Sequence, residues 1–128
     1  MDFTHFWTKQ TALKLRSNPS LSTLTPNSLI LIGGANTRTL NSERPEFLAS
    51  VDKYDIKLDK WTPLPDLNNA RKSHSSCNMV EQRKIYVFGG YNETGLLRSL
   101  EQLDWSGVEI IDRYGFTQTY WRTITIKD

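Results

Sequence analysis

Apolar residues in this chain are concentrated in short runs that have the length of strands. Residues 29–32 read LILI and residues 84–88 read KIYVF, and each run ends at a glycine pair, Gly33-Gly34 and Gly89-Gly90. A short apolar run bounded by glycines is typical of a strand that is covered on both faces. The spacing of apolar residues predicts no long helix after residue 20. The pattern therefore predicts an all-β fold.

Weaker strand signals surround the two runs. We expect turns near residues 58–59 and 82–83, and polar loops over 35–47 and 91–98. Residues 62–70 hold two prolines and two asparagines, so we expect them to be irregular. Further strands are predicted over 48–56, 74–81, 99–104, 108–113 and 119–126.

The features recur along the chain. The glycine pairs lie 56 residues apart, and VDKYDIKLDKW at 51–61 aligns with IDRYGFTQTYW at 111–121 with an offset of 60. Arg16 precedes Gly33 by 17 residues, and Arg71 precedes Gly89 by 18. These offsets predict a repeating unit of roughly 50 residues, as in propeller blades. Residues 1–16 are either the tail of an earlier unit or an unrelated N-terminal helix.

Two registers are open for the second unit. In one, Tyr114 corresponds to Tyr54 and Trp121 to Trp61. In the other, Leu103-Asp104 takes the place of Tyr54-Asp55, 108–113 is the fourth strand, and no tryptophan falls in the expected position. The Tyr–Trp pairing favours the first register, and the spacing from the glycine pair to the aspartate favours the second.

The order of these features resembles the kelch repeat. That motif is an apolar strand, a double glycine, a polar loop, a strand ending in Tyr54-Asp55, then Trp61, Leu64-Pro65 and Arg71. The resemblance covers about residues 28–126, and it departs from the family at Gly115, where an aspartate follows the tyrosine in other repeats. It assigns a structural role to the motif residues, namely Gly33, Gly34, Tyr54, Asp55, Trp61, Gly89, Gly90, Tyr114 and Trp121.

The resemblance implies consecutive four-stranded blades that form an incomplete β-propeller, because closed propellers have about four to eight blades. We predict a first kelch repeat over 28–71 and a second over 72–128. Residues 1–27 are predicted to be a partial blade or an N-terminal extension. Self-association, or completion by further blades, is expected of so short an array.

The composition of the chain limits the partners, cofactors and cellular locations that we expect. The 16 basic and 14 acidic residues are scattered, which argues against a nucleic-acid partner. The single cysteine, Cys77, is predicted to be a small buried residue, and its isolation favours a reducing, cytoplasmic location. No window approaches the roughly 20 apolar residues of a membrane span. With two histidines and no phosphate-binding glycine motif, we predict neither a metal nor a cofactor.

Loops of a propeller gather at its rims, where partners dock. Arginine is suited to pair with the carboxylates of a protein partner. The chain is therefore predicted to be a non-enzymatic protein-interaction module, scaffold or substrate receptor, of unidentified partner. The alternative is a fragment of a kelch-like propeller enzyme of the oxidase or sugar isomerase type. The predicted partner contacts are Arg38, Arg44, Arg71, His74, Asn92 and Arg98.

Overall fold

The computed structural model describes residues 16–36, 46–105 and 121–125. Within these ranges the chain is built of antiparallel strands and one short 3₁₀ turn, Val80–Gln82. In chain order the strands are β1 (Ser20–Thr25), β2 (Ser28–Ile32), β3 (Ala35–Asn36), β4 (Glu46–Phe47), β5 (Val51–Asp55), β6 (Lys60–Leu64), β7 (Ser75–Met79), β8 (Lys84–Phe88), β9 (Tyr91–Asn92), β10 (Gly95–Leu96), β11 (Ser99–Asp104) and β12 (Trp121–Thr125).

Two four-stranded antiparallel sheets dominate the described part of the chain. The first has the strand order β1-β2-β5-β6, and the second has the matching order β7-β8-β11-β12. A two-stranded hairpin follows the second strand of each sheet, β3–β4 in the first case and β9–β10 in the second. Neither sheet is closed on itself. The predicted all-β fold with consecutive four-stranded sheets, an incomplete propeller, is confirmed.

Strand pairing decides the register of the second sheet. Tyr54 pairs with Leu29 and Trp61, and Leu103 pairs in the same way with Ile85 and Trp121. Each proposed register is therefore right in one half: β11 is the third strand, and the fourth strand carries Trp121. The predicted strand at 108–113 and Tyr114 lie outside the described residues.

Two observed strands, β1 and β6, were not predicted from the sequence. β1 lies within the segment 1–27, where no strand was predicted, so the first sheet begins eight residues before the predicted first repeat. β6 includes Pro63, which lies in the segment predicted to be irregular. That prediction is wrong for residues 62–64, because β6 is an edge strand and an edge position does not require the N–H that proline lacks.

The core lies between the stacked sheets. The first sheet contributes Ile30, Ile32, Val51 and Leu64, and the second contributes Ile85, Val87, Leu103 and Trp121. Leu24, Trp105 and Leu67, the last from the linker of residues 65–74 that joins the sheets, also belong to the cluster. The edge strands β1 and β7 adjoin, with the Ser22 and Ser76 hydroxyl oxygens 2.7 Å apart. Burial of these apolar side chains is the main favourable contribution to stacking.

Gly34 and Gly90 allow the chain to approach itself closely. Both have positive φ, +106° and +84°, and a Cβ on either would lie 2.8 Å from the Ser17 carbonyl oxygen or 2.5 Å from that of Lys72. The same neighbours form isolated bridges, Ser17 with Ala35 and Lys72 with Tyr91. The glycine pairs therefore permit the segment that precedes each sheet to pair with the first strand of the hairpin, β3 or β9.

The Tyr-Asp-Trp motif of the first sheet closes the β5–β6 turn. The Tyr54 hydroxyl donates a 2.6 Å hydrogen bond to the Asp59 carboxylate, and its ring lies 4.8 Å from that of Trp61 between centroids. Burial, assisted by Asp59, raises the pKa of Tyr54 to about 12. The Asp55 carboxylate accepts a 2.9 Å bond from the Leu58 N–H. In the second sheet the Trp121 indole N–H donates to the Pro65 carbonyl at 2.8 Å, which ties β12 to the linker.

Candidate partner interface

Arg71 is fully buried, contrary to the prediction that it contacts a partner. Its side chain and that of Glu101 are both 0% exposed and form a 2.8 Å ion pair. The guanidinium also donates to the Gly89 carbonyl at 2.9 Å and to the Ser99 carbonyl at 3.1 Å. These contacts occupy the guanidinium, so Arg71 lies outside any exposed binding surface in this structure.

The Glu101 carboxylate anchors the linker to the second sheet. It accepts the backbone N–H groups of Asn68, at 2.5 Å, and of Asn69, at 3.1 Å. The Asn68 side-chain amide donates to the Trp121 carbonyl at 2.7 Å. Because a buried charge is tolerated when it is paired and hydrogen-bonded, this network explains how Glu101 can be enclosed.

Arg16 repeats the arrangement of Arg71 one sheet earlier. Its guanidinium forms a 2.8 Å ion pair with Asp52 and donates to the Gly33 carbonyl at 3.1 Å. Asp52 occupies in β5 the position that Glu101 occupies in β11. The matching spacing of the two arginines in the sequence therefore reflects one structural role, in which an incoming segment is tied to the next sheet.

His74 is also enclosed, which corrects its prediction as a surface contact. It is 8% exposed, and its Nε2 lies 2.9 Å from the Ile32 carbonyl oxygen. Since a carbonyl only accepts, Nε2 carries the hydrogen. Burial lowers the pKa of His74 to about 4, against the raising effect of the Ile32 bond, and Arg71 adds to the lowering. The ring is therefore neutral at pH 7 and joins the linker to β2.

Of the other predicted contacts, Asn92 and Arg98 lie on the hairpin side of the second sheet. The Asn92 amide donates to the Ala70 carbonyl at 2.8 Å, and its oxygen accepts the Thr94 N–H at 2.9 Å, so Asn92 fixes the β9–β10 hairpin to the linker. Arg98 is exposed just beyond that hairpin. Arg38 and Arg44 lie outside the described residues.

A partly exposed patch joins the two hairpins and the linker. We call it the rim patch, and it consists of Phe47, Lys72, Tyr91 and Leu96. The Phe47 and Tyr91 rings meet edge to face with centroids 6.1 Å apart, and the Lys72 ammonium lies 5.8 Å and 5.1 Å from those centroids. Leu96 pairs with Tyr91 in the hairpin and is 85% exposed. The patch thus presents apolar groups beside a cation at one end of both sheets.

Sequence reasoning identified the loops of the rim but not these residues. It selected arginines for their charge, whereas apolar residues of the same loops form most of the patch. Two aromatic residues and a leucine in otherwise polar loops were the available signal, because aromatic side chains are enriched in protein interfaces.

The opposite end of the first sheet contains a cavity of about 360 Å³. Lys53 and Asp55 of β5 and the turn residues Asn27 and Lys57 are among those that line it. Burial lowers the pKa of Lys53; Asp55 counteracts this effect and Lys60 adds to it. In the described ranges no group of three or more His, Cys, Asp or Glu side chains is placed to hold a metal ion.

Cys77 is exposed, so the prediction that it is a buried residue is wrong. Its Sγ lies 3.8 Å from the Met79 sulfur, on the same face of the edge strand β7. Among the described residues, no helix has the length and apolar character required to cross a membrane.

Several known proteins are similar to parts of this chain, among them the following two. An F-box/kelch-repeat protein of Arabidopsis thaliana is 42% identical over 50 residues, which are 39% of this chain and 11% of that protein. The N-acetylneuraminate epimerase of Vibrio cholerae serotype O1 is 29% identical over 77 residues, which are 60% of this chain and 20% of that enzyme. The chain therefore spans a small part of the length of the curated relatives that it matches. No protein-family model matches it.

Proposed function

Because the chain carries kelch-type repeats folded as consecutive four-stranded sheets, we propose that it is a non-enzymatic protein-interaction module. The rim patch is the observation that supports this role. Leu96 is 85% exposed in β10, the second strand of a hairpin that Asn92 holds to the linker. A large apolar side chain presented on a braced loop favours docking of a protein, since interface cores gain most of their energy from a few apolar or aromatic anchors.

The positive charges near the rim patch indicate which groups a partner should carry. Lys72 lies over two aromatic rings, and Arg98 is exposed beside the same hairpin. We expect a partner segment with an apolar side chain that covers Leu96 and a neighbouring carboxylate that pairs with Arg98. Arginine and carboxylate can form two parallel hydrogen bonds, which adds orientation to the contact.

The second candidate is an enzyme role, supported by the similarity to an epimerase over 60% of the chain. We favour the binding role because the polar side chains at this place are enclosed. Arg71, Glu101 and His74 are at most 8% exposed. Arg71 is paired with Glu101, and His74 is bonded to the Ile32 carbonyl. Side chains enclosed in this way hold the linker and do not face a substrate.

Quantitative affinity capture from the native cells tests the proposal. The bait carries Leu96→Asp with Arg98→Glu, and the matched control carries Leu58→Asp with Lys57→Glu, in the β5–β6 turn at the opposite end of the sheets. Leu58 is 71% exposed, so its change alters surface polarity in the same way. We expect a partner that is retained by the wild type and the control and reduced at least tenfold by the rim variant.

A partner bound equally by the rim variant, or no partner that distinguishes the three baits, would contradict the rim as the docking surface.

The enzyme alternative is tested separately. Purified chain is incubated with N-acetylneuraminate and the exchange of its anomers is followed by NMR. Exchange faster than the uncatalysed rate would contradict a purely non-enzymatic role.

A further inference from the structure

The second sheet has an outer face, opposite the one that packs on the first sheet, and we call it the open face. Its residues include Cys77 and Met79 of β7, Phe88 of β8, Gln102 of β11 and Arg122 of β12. Cys77 is exposed, and Met79 and Phe88 are 43% and 52% exposed. Because Gln102 and Arg122 lie on the other two strands, the exposed apolar part of this face runs along β7 and β8.

The first sheet shows what kind of surface covers such a face. Cys77 occupies in β7 the position that Ser22 occupies in β1, since each belongs to the third strand pair counted from its glycine pair. The Ser22 hydroxyl oxygen lies 2.7 Å from that of Ser76, which is on the inner face of the second sheet. Within this chain, a face of the open kind is therefore covered by the inner kind of face, and β1 meets β7 at that contact.

The far face of the first sheet, which points away from the second sheet, is a face of this inner kind. Leu21 occupies in β1 the position that Ser76 occupies in β7. Leu21 is 57% exposed, and Thr23 on the same strand and face is also exposed. Leu31 and Tyr54 of this face are only 3% and 6% exposed. The accessible part of the far face is therefore its border along β1.

The far face also carries the ion pair that the inner face of the second sheet carries. Asp52 on the far face binds Arg16, as Glu101 on the inner face binds Arg71. The first sheet stacks on the second with the Arg71–Glu101 pair in place. The Arg16–Asp52 pair is therefore compatible with a sheet docked on the same side.

We propose that copies of this chain associate head to tail, with β7 of one copy against β1 of the next. The contact repeats the one between β1 and β7 within the chain. Cys77 of one copy then meets Leu21 of the next, in the places of Ser22 and Ser76. Both side chains are exposed and apolar, whereas the internal pair is polar, so association removes apolar surface from water. The proposal is independent of the rim patch.

Sedimentation equilibrium of the complete chain tests this contact. Interfaces below about 1,200 Å² are typical of weak complexes, so the measurement extends from micromolar to millimolar concentrations. We expect the mean mass to rise above the 14.8 kDa of the monomer. Leu21→Glu and Met79→Glu should each raise the dissociation constant at least tenfold. Leu58→Glu is the control, because Leu58 is 71% exposed in the β5–β6 turn, and it should leave the constant unchanged.

Mixing the two variants distinguishes a head-to-tail contact from a symmetric one, because a head-to-tail interface joins two different patches. The Leu21→Glu chain keeps an intact open face, and the Met79→Glu chain keeps an intact β1 border. Their equimolar mixture should form a one-to-one complex with the dissociation constant of the wild type, although neither variant associates alone. A wild type that stays monomeric, or a mixture that associates no more than the separate variants, would overturn the proposal.

Disulfide formation gives a second readout. Cys77 is the chain's single cysteine, so Leu21→Cys adds one partner for it. Within one copy, positions 21 and 77 lie on the outward sides of the two sheets, so a link between them joins two copies. Under mild oxidation, linked peptides containing positions 21 and 77 should form at least ten times faster than those of the control Leu58→Cys. Equal rates in both variants, or links between two copies of Cys77 instead, would refute the head-to-tail contact.

Discussion

At the residue scale, two arginine–carboxylate pairs, one fully buried and one partly buried, hold consecutive segments to consecutive sheets. Arg16 with Asp52 and Arg71 with Glu101 make the same contacts at equivalent positions. The similar spacing of these arginines before the glycine pairs, 17 and 18 residues, was visible in the sequence. Their burial was not, because spacing alone does not tell a rim arginine from one enclosed by a carboxylate on another strand.

Removal of the Arg71 guanidinium should be strongly destabilising. Arg71→Met leaves the Glu101 carboxylate buried without its cation, which typically costs about 3–5 kcal/mol. Urea denaturation followed by tryptophan fluorescence measures the change. Replacing both partners, Arg71→Met with Glu101→Leu, should recover part of the loss, because the uncompensated charge is then gone.

Arg98→Met is the matched control, because Arg98 is exposed and the same atoms are removed. Exposed substitutions usually change stability by about 0.5 kcal/mol or less. Equal losses for Arg71→Met and Arg98→Met would show that Arg71 is not enclosed as described.

His74 should make stability depend on pH. Its folded pKa of about 4 lies below the unfolded value of 6.5, so the unfolded chain binds more protons between these values. Stability should therefore fall as the pH is lowered from 6.5 to 4, by up to about 3 kcal/mol. Urea midpoints measured across this window should show a shallower decline for His74→Gln than for the wild type. Parallel curves would mean that His74 is solvated and free to take up a proton.

At the element scale, the strongest strands were predictable and the edge strands were less so. β2 and β8 are continuous apolar runs, and β12 lies within a predicted strand of alternating residues. β1, SLSTLT, is polar at four of its six positions and has one buried leucine, so no apolar run marks it. β6 contains a proline, which is tolerated because only one side of that strand is paired.

The location of the candidate site could be predicted from the sequence, but the residues that form it could not. Polar loops after the glycine pairs predicted a rim at one end of the sheets. The rim patch arises from packing between loops of different repeats, as Phe47 against Tyr91 shows. Such contacts depend on how the sheets stack, which the sequence of a single repeat does not specify.

The register of the second sheet was also not predictable from the repeat, because the third and fourth strands are joined differently in the two sheets. Between β11 and β12 the chain runs through residues 105–120, whereas four residues join β5 to β6. A connection of different length shifts the offset between repeats, so tyrosine and tryptophan positions could not be aligned together. Loops tolerate such insertions, while strand pairing keeps Trp121 in the place of Trp61.

At the scale of the whole molecule, the two repeats form separate sheets that stack with β1 beside β7. The Ser22 and Ser76 hydroxyl oxygens, 2.7 Å apart, mark this contact between residues distant in sequence. Disulfide sulfurs lie about 2.05 Å apart, so cysteines at these positions need a small adjustment to bond. Ordinary pairing of β1 with a strand of its own sheet would not bring the two positions together.

The most direct test is therefore an engineered disulfide, Ser22→Cys with Ser76→Cys, in a chain whose own cysteine is removed by Cys77→Ser. Leu21→Cys with Ser76→Cys serves as the control, because successive residues of a strand point to opposite faces. Peptide mapping by mass spectrometry under mild oxidation should find the 22–76 link within monomers, and the control pair should stay reduced. Free thiols in the first variant, or equal bonding in both, would contradict the stacked-sheet structure.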